Sequence, residues 1–266
     1  MMPTYASDLV RVMPIACELP RSGPGSSYHV NKTWLGFSLS GVFTLHARHE
    51  DDLIHPGLGV VFPQGIEYRM SHPTSDGDTA LALGFAPGAV EEALPKPIER
   101  VRVMRLDLRV RHQVGVLMAA ADRRDELLVD QLALELLGAL AAHVAPSPPA
   151  STASRNARAK VDRIRLLLAE QPEARWTLGT LGHLVGYSPY HLAHQFRAHT
   201  GTSVHRFLAD LRTAAALQRI EAGETSLAAV AADLGFSHHS HLTATLRRRI
   251  GLTPRMIREH LRPPSA

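Results

Sequence analysis

The sequence predicts an α+β protein: an N-terminal antiparallel β barrel with helices, followed by a C-terminal all-α domain carrying two helix-turn-helix motifs. Three observations support this. Up to about Gly84, short apolar and β-branched runs alternate with Gly and Pro punctuation. Beyond Pro87 the apolar residues recur at three- and four-residue spacing. From Leu178 to Leu261, one pattern is written twice.

The 266 residues favour two domains, each able to bury its own core. With 45% hydrophobic and 20% charged residues, the composition is that of a globular protein rather than a disordered or fibrous one. The net charge of +4 is unevenly shared. Residues 155–266 hold 16 Lys and Arg against 8 Asp and Glu, a balance of +8; the first 154 hold 13 against 17, a balance of −4. Local positive excess draws polyanions through counterion release. Cys17 is the sole cysteine, which rules out an intramolecular disulfide and a Cys-based zinc site and fits a reducing compartment. With no Cys partner and no basic cluster beside it, Cys17 reads as a small buried apolar residue. No signal-peptide core and no run of about 18 apolar residues is present, so a cytoplasmic protein without membrane contact is expected.

In the front half, strands are expected at Val10-Arg-Val-Met-Pro14, Trp34 to Leu39 and Val42 to Ala47, with a closing strand near Leu81 to Phe85. Turns are expected at Gly23-Pro24-Gly25, Gly41, Pro56-Gly57, Pro63 and Asp76-Gly77. Such spacing suits an antiparallel sandwich or small barrel. The order Leu39-Ser-Gly41-Val-Phe-Thr-Leu45, His55-Pro56-Gly57-Leu-Gly59-Val-Val-Phe-Pro63, then Tyr68, resembles the cupin-like sensor domains found ahead of some bacterial regulator modules. A ligand of such a domain belongs at the barrel mouth, with Trp34, Phe62 and Tyr68 as candidate contacts. The histidines here are His29, His46, His49, His55 and His72, with Glu50 and Glu67 nearby. His46 and His49 are three apart and would point to opposite faces of a strand. The tight His and carboxylate cluster of a metal cupin is missing, so these histidines are read as surface or turn residues and no metal or other cofactor is assigned.

Pro95 and Pro97 break the chain, and Val101 to Arg109 reads as a strand or connector ahead of a helix over Val110–Asp122. Asp125 to Leu140 is a second helix with an acidic start that suits the helix dipole. Its apolar stripe is broad enough both to cover one side of the barrel and to serve as a dimerisation surface. Pro146 to Ser154, rich in Pro and Ser, reads as an extended linker. The charge balance changes sign there, which sets the expected domains at 1–145 and 157–266 with a linker over 146–156. A helix with Val161, Ile164, Leu167 and Leu168 on one face opens the rear domain.

The first copy of the repeat reads as helix, turn, helix. Thr177 caps Leu178–Val185, Gly186 supplies a left-handed turn, and Ser188 caps the next helix with Pro189 in its first position. Leu192 and Phe196 face inward; Tyr190, His191, His194, Gln195 and Arg197 are left outward. The second copy, Leu227 to Ser237, follows at an offset of 49, which becomes 50 beyond the turn and pairs Leu192 with Leu242 and Phe196 with Leu246. A helix over Val204–Glu221 joins the copies.

This region resembles the DNA-binding domain of the AraC/XylS family of bacterial transcription regulators. Matching features run from Ile164 to Arg258: Gly186-Tyr187-Ser188, Phe196, Gly201, Leu211-Arg212-Thr-Ala-Ala215, Ala222-Gly223-Glu224, Val230-Ala231, Gly235-Phe236-Ser237, Arg247 to Arg249 and Gly251-Leu-Thr253-Pro254. Gly182 departs from the usual Ala, which is expected to weaken its helix by about 1 kcal/mol; Leu242 and Leu246 stand where a Phe pair is common. The resemblance implies two recognition helices entering successive major-groove segments of promoter DNA. It places Tyr190, Ala193 and His194 at first-copy base contacts, and His239, Ser240, Thr243 and Ala244 at second-copy ones. Arg197, Arg247 and Arg248 suit phosphates, which position without specifying. The copies differ on their outer faces, so the first is expected to do more base reading.

These readings converge on a sequence-specific transcription regulator, controlled by a small-molecule effector in the front domain, homodimeric, and touching RNA polymerase if it activates. No phosphate loop, nucleophile elbow or metal constellation assigns enzyme chemistry. The alternative is a cupin-type metalloenzyme fused to a DNA-binding module, which requires a transition metal on His29, His46 or His55.

Overall fold

The computed structural model describes residues 4–18, 20–47, 50–74, 77–93, 98–141 and 155–262. His49, Pro95, Pro97 and nearly all of the expected linker lie outside them. Among the described residues the front half holds ten strands, all pairing antiparallel, in two sheets. The six-stranded sheet runs in the order β1 (Tyr5–Ala6), β2 (Val10–Cys17), β9 (Asp78–Phe85), β4 (Trp34–Ser40), β7 (Leu58–Phe62) and β10 (Arg102–Arg105). The four-stranded sheet is β3 (Tyr28–His29), β8 (Glu67–Ser71), β5 (Phe43–Ala47) and β6 (Glu50–Ile54). The sheets remain separate, so the expected barrel is an open one.

Strand alternation divides the large sheet between two cores. Leu35, Phe37 and Leu39 of β4 and Leu81, Leu83 and Phe85 of β9 face α2 (Leu108–Asp122) and α3 (Glu126–Ala141), burying Val114, Leu117, Leu136 and Leu137. The opposite side meets the small sheet through Phe43, Leu45, Ile54, Leu58 and Val60. A short helix α1 (Pro87–Ala93) precedes β10. Strand β6 was not visible in the sequence because Glu-Asp-Asp disfavours strands. Its acidic residues serve another purpose: α4 (Arg155–Glu170) lies against it, with Arg158 Nη2 donating to Asp51 O at 2.8 Å and to Asp52 Oδ1 at 3.1 Å, and Arg165 to Leu53 O at 3.0 Å.

Among the described residues seven helices make up the rear half: α4, α5 (Leu178–Val185), α6 (Pro189–Thr200), α7 (Val204–Glu221), α8 (Leu227–Asp233), α9 (His239–Ile250) and α10 (Pro254–Leu261). Two small cores share α7. Its front half, Val204 to Leu211, packs with Ile164, Leu181, Leu192 and Phe196. Its rear half, Ala214 to Ile220, packs with Val230, Leu242, Leu246 and Ile257. Leu108 of α2 also enters that second core, so front and rear halves share apolar burial.

Charge seals the junction. Glu221, at the end of α7, meets Arg111 Nη1 at 3.1 Å and His112 Nδ1 at 2.9 Å, both from α2. Gly115 makes room, since a Cβ there would lie 2.6 Å from Glu221 Oε1. His112 Nε2 continues to His260 Nδ1 at 3.2 Å. Asp210 of α7 gathers Arg105 at 2.7 Å, Arg206 at 3.2 Å and Arg249.

Two expectations about single residues need correction. His55 opens the Pro56-Gly57 turn, its carbonyl accepting from Leu58 N at 3.1 Å, but it is no surface residue: it is buried edge-on against Phe207 at 4.9 Å, with Nδ1 2.9 Å from Pro56 O. His72 is buried too, beside a half-buried Cys17. Periodicity could not reveal either, because each is buried by a segment remote in sequence. Burial, with the charges of Arg165 and Arg105 adding, lowers the His55 pKa from 6.5 to about 3. The unfolded chain therefore binds a proton between those values that the folded chain refuses, so stability is complete above pH 6.5 and falls as pH drops below it. Each pH unit is expected to cost up to about 1.4 kcal/mol for this one group. Urea midpoints at pH 7 and pH 5 check it: His55→Gln should show a smaller loss than the parent, and an equal loss in both would refute the assignment.

Candidate nucleic-acid interface

Local sequence sets each recognition helix. Thr177 Oγ1 accepts from Thr180 N at 3.0 Å and Thr177 N donates to Thr180 Oγ1 at 3.1 Å, a reciprocal cap that fixes the start of α5. Gly186 adopts φ 68°, in the left-handed region expected of it. Ser188 Oγ then accepts from His191 N at 3.2 Å and Pro189 occupies the first position of α6. In the second copy Gly235 repeats the left-handed turn at φ 71°, but the cap is His238, whose Nδ1 accepts from His241 N at 3.1 Å. The additional residue between Ser237 and α9 accounts for the change of offset from 49 to 50.

Gly182 takes on a different meaning here. A Cβ on it would lie 2.5 Å from the Tyr187 carbonyl oxygen, a backbone atom that cannot swing aside. Its helix-propensity penalty is therefore the cost of a tight turn, not a defect. Gly182→Ala, which propensity alone would make stabilising by about 1 kcal/mol, is expected to lower the melting temperature; a higher one measured by circular dichroism would overturn this reading.

On α6, Leu192 and Phe196 are fully buried, whereas Tyr190, His191, His194 and Arg197 are exposed and Ala193 and Gln195 half-covered. Tyr190 stands 83% exposed, an extreme for a large ring. His191 is partly committed to Tyr187, which it meets edge-on at 4.4 Å, and Lys160 sits 4.3 Å over that same ring. On α9, His239, Ser240, Thr243, Ala244 and Arg247 line one depression together with Thr253 of the next turn. Thr253 was expected only as part of the Gly251-to-Pro254 corner; its position beside Arg247 depends on the turn into α10.

Arg248 points elsewhere. It lines a cleft of about 310 Å³ between the two halves, with Arg105, Arg206, Arg249, Asp107, Asp210 and His55 among its walls. Arg212, mid-way along α7, donates to the carbonyls of Pro172 (2.6 Å), Ala174 (3.0 Å) and Gly235 (3.2 Å). One guanidinium thus ties the end of the α4 segment to the turn of the second copy and braces the two cores against each other.

Of the front-half candidates, Trp34 and Phe62 are register partners on β4 and β7, and Phe62 lies 4.7 Å from Tyr68. Tyr28 stacks on Tyr68 at 5.3 Å, and burial with this neighbour pushes the Tyr68 hydroxyl up to about 12. Phe62 and Tyr68 therefore share one aromatic cluster with Tyr28, whereas the Trp34 ring lies over Gly84 of β9. The histidines do not converge: His46 pairs with Asp51 and Ser71, His55 with Phe207, and His72 with Cys17 and Asp78.

Two exposed, basic-flanked helices, each seated by a capped turn and joined by one shared helix, define a helix-turn-helix DNA-binding protein. Residues 181–260 match the family model described as a helix-turn-helix domain. The matched stretch takes in both helix-turn-helix copies, from within α5 into α10. No curated protein matches the chain significantly in sequence. Among solved structures it is similar to fatty-acid-bound ToxT of Vibrio cholerae, at 10% identity over 94% of each chain and a TM-score of 0.39. It is similar also to an AraC-type regulator of Chromobacterium violaceum, at 23% identity over 42% of this chain and all (100%) of that one, with a TM-score of 0.38. A third is a DNA-binding dual regulator of Escherichia coli K-12, at 25% identity over 38% of this chain and 91% of that one, with a TM-score of 0.35. Among the described residues no helix is long and apolar enough to cross a membrane.

Proposed function

We propose that the chain reads a two-part promoter site through α6 and α9, under the control of a small molecule held by the front half. The observation that carries the proposal is the pair of outward faces, Tyr190, His194 and Arg197 on one helix and His239 to Arg247 on the other, braced to a common frame by α7 and Arg212. Tyr190, Ala193 and His194 read bases in the first segment; Ser240, Thr243 and Ala244 read them in the second; Arg197 and Arg247 hold phosphates. Selection of bound fragments from genomic DNA by the full chain tests it. A recurrent bipartite sequence is expected, and binding to the recovered sequence no tighter than to random duplex would refute the reading.

The effector is assigned to the face that carries Trp34 and the Phe62–Tyr68 pair, where apolar rings and a hydroxyl favour a partly apolar molecule. A second reading places it in the junction cleft, whose Arg105, Arg206, Arg248 and Arg249 favour an anion. A ligand-induced rise in melting temperature abolished by Tyr68→Ala supports the first; one abolished by Arg105→Ala supports the second.

Homodimerisation through α3 belongs to the same proposal. Leu127 and Leu134, seven residues apart on one face, are 81% and 45% exposed. Leu127→Glu with Leu134→Glu is expected to shift the sedimenting species from dimer to monomer; a dimer in the variant would rule out this surface. No catalytic activity is assigned, the compartment is cytoplasmic, and RNA polymerase is the further partner if the regulator activates.

A further inference from the structure

Cys17, His72 and Asp78 form a connected row where β2 meets the start of β9. Cys17 Sγ lies 3.6 Å from His72 Nε2, and His72 Nδ1 lies 2.9 Å from Asp78 Oδ2. The His72 and Asp78 side chains are 6% and 7% exposed, so each is more than nine-tenths buried, while Cys17 is half-buried. The packing that creates the row is specific. Gly77, at φ 72°, lets the segment after β8 close onto β2; a Cβ there would lie 2.5 Å from the Cys17 carbonyl oxygen.

Which ring nitrogen faces which partner decides the chemistry. The Asp78 carboxylate charge, 2.9 Å from Nδ1 though without hydrogen-bond alignment, favours a proton on that nitrogen and leaves Nε2 facing the sulfur. Three ligand-capable atoms within 4.8 Å of one another also raise a metal. Yet Cys17 and Asp78 approach opposite nitrogens of one imidazole, an order along the row that suits proton transfer from the thiol. The arrangement is instead that of a nucleophile, a base and an orienting acid.

We infer that Cys17 is an imidazole-activated thiol that reacts with hydroperoxides. His72 Nε2 takes the thiol proton and Asp78 stabilises the resulting imidazolium. The thiolate attacks the terminal oxygen of the hydroperoxide, forming an S–O bond as the O–O bond breaks. The electron pair leaves on the alkoxide (hydroxide for hydrogen peroxide), which takes the proton from Nε2. Sulfur is oxidised by two electrons to the sulfenic acid and the peroxide is reduced to an alcohol or water. With no second cysteine in the chain, the sulfenic acid has no internal thiol to condense with.

The test uses the full-length protein with hydrogen peroxide and dimedone, followed by intact mass; the single cysteine makes every adduct unambiguous. Labelling of the native protein is expected to be at least about tenfold faster than in His72→Gln, in Asp78→Asn and in the parent unfolded in urea at the same pH. The pH of half-maximal rate should rise in both variants, which a purely structural role would not produce. Should His72→Gln fail to fold, Asp78→Asn and the urea control decide the matter. Equal rates in native and unfolded protein, or rates unchanged by Asp78→Asn, overturn the proposal. Labelling seen only after chelation would assign the row to a metal and overturn it as well.

Discussion

Glu221→Ala is expected to destabilise the protein by about 3–5 kcal/mol, the cost typical of removing one partner from a buried ion pair. Arg111 is 3% exposed and Glu221 9%, so loss of the carboxylate leaves a guanidinium with neither its partner nor water. His112 loses the same acceptor, and the cavity would adjoin the second helix-turn-helix core through Leu108. Urea unfolding of the variant measures it. Arg111→Met combined with Glu221→Leu, which removes both charges and keeps the volume, should recover most of the loss. A Glu221→Ala cost below about 1 kcal/mol would show that the pair is solvated. Because Glu221 ends the helix shared by both recognition units, the variant's DNA affinity is also expected to fall, and the double replacement to restore it.

His194→Ala is expected to weaken binding to the selected site by about 1–3 kcal/mol, roughly 5- to 150-fold, while leaving binding to random duplex unchanged. His194 is exposed on α6 one turn beyond Tyr190, with no hydrogen-bond partner in the chain among the described residues, and its neighbour Ala193 offers only a methyl group. Arg247→Ala is expected to do the reverse, weakening all sequences alike and reducing the salt slope of log K by about one unit. Titrations at several salt concentrations on selected and random DNA separate the two. An unchanged salt slope for Arg247→Ala, or an equal loss on both DNAs for His194→Ala, would reverse the roles given to them.

The rear half was largely legible because its determinants are local. Thr177, Gly186, Ser188 and Pro189 act on backbone groups within four residues, and Leu192 and Phe196 bury as a helical period requires. The second cap was harder to read: Ser237 matched its counterpart in type, but the backbone chose His238, one residue on. In the front half, β2, β4, β5 and β9 followed from apolar runs, whereas β6, written Glu-Asp-Asp, is stabilised by arginines about a hundred residues away.

By itself, then, the sequence determined the class of fold, the doubled motif, and the inward and outward faces of α6. Phe62 and Tyr68 were named together, but their contact with Tyr28 was not. Tertiary structure alone decided the burial of His55, the clasp of Arg111 and His112 on Glu221, the turning of Arg248 toward the junction cleft, and the row of Cys17, His72 and Asp78. The division has a physical cause. Caps and helical periods are set by bonds within a turn or two and are printed in the local residue order. Buried polar partners are joined across segments 55 to 110 residues apart, and only the packed chain brings them within reach.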